Sequence, residues 1–150
     1  MSEMDLSGVS MDSLFPEVDE KATVQNVSKF LARTLPKMVR VSGQTLTELR
    51  SPNYDGMPKG QSVPDPDARL VRRLYAEQVV RRSIEAMNHC DRDCQRILDL
   101  LYLQKYSDTM CYMAIGYSES SYFHDWKPRA LLQFADCYLL EDLHIFEKVQ

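Results

Sequence analysis

The stretch Met113–Pro128, MAIGYSESSYFHDWKP, decides the fold. Gly116 follows an apolar segment and can take the left-handed backbone conformation that ends a helix, which side chains disfavour. Two residues later, Ser118 can accept a hydrogen bond from the N–H groups that open another. Together they turn two short helices into a corner. Helix-turn-helix units use such a corner to read DNA, and other helical proteins use it only to reverse direction.

Working outward, Ser118 caps a helix whose row Tyr122, Trp126, Ala130, Phe134 and Tyr138 advances by four and shares one face. Pro128 cannot donate to the carbonyl of His124, and its ring crowds that turn. Because the row keeps its phase across the proline, the pattern predicts a bend and not a break. Before the corner, Ser107 or Asp108 caps a short helix that ends at Ile115. Cys111, Ala114 and Ile115 would face the body of the protein, with Tyr122 and Trp126 closing the angle and the Trp126 ring a candidate core anchor.

Upstream, Cys94, Ile97, Leu98, Leu101 and Tyr102 mark a helix, preceded by a polar interruption from Asn88 to Asp93. Leu70, Leu74, Val80, Ile84 and Met87 form a drifting apolar stripe on a long helix from about Ala68 to Met87. Asp19 can cap a helix from about Glu20, with Val24, Val27, Phe30, Leu31, Leu35 and Met38 at three-to-four spacing and Pro36 kinking or splitting it. No segment alternates as a strand would, and no internal repeat is evident. The fold class is therefore all-α. The organisation reads as a flexible tail (1–13), an N-terminal helical segment (14–50), a linker (51–67) with four of the seven prolines, and a helix-turn-helix domain (68–150).

A length of 150 residues with 44% hydrophobic side chains suits one domain with appendages. The opening MSEMDLSGVSMDS has no basic start or apolar signal core, and no apolar run is long enough to span a bilayer, so the expectation is a cytoplasmic protein without a membrane segment. Four cysteines in such a compartment read as reduced thiols. His89, Cys90 and Cys94 are close enough to suggest ligands, but zinc takes four and a fourth is not evident; buried thiols acting as small hydrophobes are the plainer reading. No metal, no cofactor and no enzymatic role are expected, since phosphate loops, HExxH and nucleophile elbows are missing.

The net charge of −4 has the wrong sign for binding DNA by bulk electrostatics. Its distribution is uneven. Residues 69–96 carry seven arginines against four acids, whereas residues 97–150 carry four bases against eight acids. Arg69, Arg72, Arg73, Arg81 and Arg82 can contact phosphates or simply solvate a long helix.

Several segments resemble the ArpU family of phage late-gene transcriptional regulators: LFPEVDEKATVQNVSKFL (14–31), LRSPNYDGMPKG (49–60), RILDLLYLQKYSD (96–108), GYSES (116–120) and RALLQFADCY (129–138). The linker and the GYS turn together are the specific part. The resemblance implies a C-terminal half like region 4 of sigma factors and a DNA-binding activator of late operons for packaging, structural proteins and lysis, acting in the cytoplasm of a bacterial host. It also implies a recognition helix from 119 to about 127, and as partners double-stranded DNA at a late promoter or operator and host RNA polymerase. Dimerisation would offset the unfavourable net charge.

The candidate DNA-contacting set is Ser118, Ser120, Ser121, His124 and Lys127 on the last helix, with Asp125 on the same face. Ser107 and Thr109 open the helix before it, and Arg72, Arg73, Arg81 and Arg82 lie on the long helix. A rival reading keeps the fold but docks on RNA polymerase or another regulator without DNA specificity, supported by the acidic residues Glu141, Asp142 and Glu147. A small metal or redox protein built on Cys90 and Cys94 is a third.

Overall fold

The computed structural model describes residues 14–43 and 66–148. The expected tail (1–13) and almost all of the linker lie outside the described residues. Within them the chain is all-α: α1 (Glu20–Lys29), α2 (Leu35–Ser42), α3 (Pro66–His89), α4 (Arg92–Leu98), α5 (Asp108–Ile115), α6 (Glu119–Ser121) and α7 (Lys127–Cys137). No strand forms among the described residues apart from an isolated antiparallel bridge between Val18 and Phe146.

The sequence signals for helix starts hold. Asp19 accepts from the Ala22 N–H at 3.0 Å, Ser107 from Met110 at 3.2 Å, and Ser118 from Ser121 at 3.1 Å. The long helix already includes Pro66 and Asp67, the last two residues of the expected linker.

Both interior prolines are accommodated by a widened turn. A π turn, Phe30–Thr34, joins α1 to α2 just before Pro36, and another, Tyr122–Trp126, joins α6 to α7 just before Pro128. In each the next N–H reaches back five residues, Leu35 to Phe30 and Lys127 to Tyr122. The extra residue lets the helix continue past a ring that a regular turn would exclude. A third π turn, Asp99–Leu103, ends α4, and Lys105 follows in the left-handed conformation at φ 61°.

The core centres on α7, which packs against α1, α3 and α4, while α2 packs along α3. Phe30 meets Tyr138 at 5.1 Å and Phe134 at 6.0 Å between ring centroids, with Val27, Leu31, Ile97, Leu98 and Leu131 buried around them. The N-terminal helix is therefore integral to this core. Residues 143–147 return across its start: Asp19 donates to the Ile145 carbonyl and Glu147 to that of Glu17, both at 2.8 Å, and the Asn26 amide donates to Leu143 at 2.9 Å.

The expected stripe on α3 is corrected in its first half. Ala76, Val79, Val80, Ser83, Ala86 and Met87 are buried, but Leu70, Val71, Leu74 and Tyr75 are about half exposed. The buried series begins at Ala76; α3 packs most extensively along α2 and also meets α7 and α4.

Candidate nucleic-acid interface

The corner forms as its residues dictate. Gly116 closes α5 at φ 91°, its N–H and that of Tyr117 both donating to the Tyr112 carbonyl, at 2.9 and 3.0 Å. No atom lies within 4 Å of where a Cβ would stand, so the requirement for glycine here is one of backbone conformation and not of space.

What holds the angle is a part-buried polar link. Tyr122 is fully buried, and its hydroxyl donates to Asp108 Oδ1 at 2.7 Å. Lys127 Nζ donates to the same oxygen at 2.7 Å. One carboxylate at the start of α5 thus ties both sides of the second π turn. Burial, and then the Asp108 bond, push the Tyr122 hydroxyl far above its ordinary pKa, so it acts as a permanent donor. Tyr112, four residues before the glycine, fits its ring against Tyr122 and Phe123 at 5.5 and 6.2 Å and so wedges the two helices.

Several expected positions shift. Lys127 is not on the outward face: it is half-buried and committed to Asp108. Ala114 is exposed, because the helix turns Cys111 inward and leaves Met110, Met113 and Ala114 to solvent. Trp126 is only partly buried; it stacks on Tyr117 at 4.7 Å with the Arg129 guanidinium 4.6 Å above it. Ser107 and Ser118 are exposed but their hydroxyls are occupied as caps. Thr109, Ser120 and His124 are exposed and Ser121 is partly so. Asp125 pairs with Arg129 at 2.8 Å.

The arginines of α3 do not form one face. Arg81 and Arg82 lie nine residues beyond Arg72 and Arg73, two and a half turns, so they project from opposite sides of the helix. Arg82 pairs with Glu85 at 3.2 Å and Arg73 contacts Glu77 at 3.7 Å.

Sequence reasoning missed the flank supplied by α1. A groove of about 480 Å³ runs between α1 and the corner, with Gln25, Lys29 and Arg33 on one wall and Phe123, Lys127 and Pro128 on the other. Lys29 and Arg33 share a helix face by their spacing of four, but nothing local says that this face lies beside the outward-facing helix.

The thiols are packing groups. Cys94 and Cys111 are completely buried, and burial raises the pKa of both. Cys90 donates to the Ala86 carbonyl at 3.3 Å, and burial first, then Cys137 beside it, push it up to about 12. Among the described residues no group of three or more His, Cys, Asp or Glu is arranged to hold a metal ion, and no helix is long and apolar enough to cross a membrane. The chain has no significant match to any family model, curated protein or solved structure.

Proposed function

We propose that the protein is a sequence-specific DNA-binding transcriptional regulator, of the kind the ArpU-like sequence segments suggest, reading a site with the exposed side of Glu119–Trp126. The observation that carries this reading is the corner itself. Two serine caps, a left-handed glycine and a Tyr122–Asp108–Lys127 link hold a short helix in place while Ser120, Phe123 and His124 stay exposed on it. Ser120 and His124 are the groups able to reach base edges, and Lys29 and Arg33 across the groove suit phosphates on one side.

Glu119 and Asp125 weaken the field of this face, so a second copy or RNA polymerase would supply part of the affinity. The same two carboxylates, with exposed Met110, Met113 and Phe123 nearby, favour the rival reading of a protein-docking surface.

Selection of bound fragments from a host or phage genome, with and without polymerase, separates the two. Enrichment of one sequence is expected. His124→Ala and Ser120→Ala should then each cost about 1–3 kcal/mol on that sequence and little on random DNA, with unchanged thermal melts. No enriched fragment under either condition would leave the docking reading.

A further inference from the structure

The C-terminal end of α2 and the first turns of α3 enclose a second feature, separate from the corner. Arg40, Arg69, Arg72 and Arg73, with Val41 and Gly43, line a concavity of about 370 Å³. Four arginines from two helices thus line one small hollow, Arg40 and Arg72 exposed, Arg69 and Arg73 partly buried. Among the described residues their one ion-pair partner is Glu77, 3.7 Å from Arg73 Nε. That Nε atom is buried and has no hydrogen-bond partner. Gly43 is in the left-handed conformation at φ 74°, and Arg73 Nη2 lies 3.1 Å from where its Cβ would stand. A side chain at 43 would be strained in this left-handed backbone and would crowd the tip of Arg73.

Like charges held together repel unless an anion joins them, and among the described residues one carboxylate stands against four arginines. Arginine forks match the oxygens of phosphate in bidentate pairs, and several forks aimed at one hollow suit a group with two or more linked phosphates. The volume is that of a small-ligand cleft. A duplex backbone would instead meet arginines spread along a convex face, which α3 lacks because Arg81 and Arg82 project from its other side.

We infer that the Arg40–Arg69–Arg72–Arg73 hollow is a binding site for a small oligophosphate group, such as pyrophosphate or the phosphate tail of a nucleotide. The site is independent of the corner and of what the corner reads.

The full chain should be titrated by calorimetry with pyrophosphate, a nucleoside triphosphate, inorganic phosphate and non-specific duplex DNA, all at one ionic strength set with sodium chloride. Saturable one-to-one binding of pyrophosphate or the triphosphate is expected, tighter than for single phosphate, with a higher melting temperature in its presence. Arg40→Ala and Arg72→Ala, both at exposed positions, should each weaken it about tenfold or more while leaving the ligand-free melt unchanged. His124→Ala should leave it unchanged. Binding of duplex DNA through these arginines with no binding of small oligophosphates would overturn the inference, as would oligophosphate binding insensitive to both arginine variants.

Discussion

Asp108 is the residue on which the corner turns, because one oxygen accepts from both Tyr122 and Lys127. Tyr122→Phe keeps the packing and removes one donor to a charged acceptor, which should cost about 1.5–3 kcal/mol. Tyr122→Ala, which also empties a fully buried site, should cost about 3–5 kcal/mol, and Trp126→Ala clearly less, since that ring is partly exposed. Denaturant unfolding of the three variants gives the order; Trp126→Ala as the most damaging would contradict this account. The sequence showed both aromatics on one row but not their depths. A row that advances by four drifts around a regular helix, and the π turn between them determines which ring faces the core. The caps at Asp19, Ser107 and Ser118 were legible because a cap needs only its own next three residues.

Elements were legible where local rules act and illegible where a distant surface decides. The buried face of α3 illustrates this: its apolar residues recur from Leu70 to Met87, but those before Ala76 are exposed, and which of them the neighbouring helices cover is not written in the local pattern. The bend between α3 and α4 is a similar case. Asn88 to Asp93 reads as a polar interruption, and at the start of α4 the Asp91 side chain makes no cap bond; it accepts from Gln133 Nε2 at 2.6 Å, while its backbone N–H donates to Gln133 Oε1 at 2.9 Å. Gln133 on α7 thus holds the corner between two other helices. Gln133→Ala should cost about 0.5–1.5 kcal/mol and speed hydrogen exchange at the Asp91 amide, with little change at Ile97 or Leu98. An unchanged exchange rate at Asp91 would show that the bend holds itself.

Over the whole molecule, the two far ends of the described chain are joined, and beside the joint, between Leu143 and Ile145, sits a group that titrates. His144 lies between Asp142, 2.5 Å from Nδ1, and Asp136, 2.7 Å from Nε2. Burial alone would lower its pKa, but the two carboxylates together outweigh that and raise it. A raised folded-state value means stability that is fully present below about pH 6.5 and lost as pH rises through the folded value. The lowered value of Asp142, due first to the His144 backbone N–H, acts in the opposite direction and is lost on acidification. Unfolding free energy should therefore decline on the alkaline side by no more than about 1 kcal/mol, given the exposed carboxylates, and His144→Gln should flatten that slope. A slope unchanged by His144→Gln would assign it elsewhere. This clasp also sets an order of events during synthesis. The amide of Asn26 waits for Leu143, 117 residues later, and Phe30 waits for Phe134 and Tyr138. At translation speeds of about 5–20 residues per second, α1 leaves the ribosome on the order of ten seconds before its partners exist. Val27, Phe30 and Leu31 spend that interval without these partners, so α1 is made long before it can be seated, and a nascent chain stalled before α7 would present that face to chaperones.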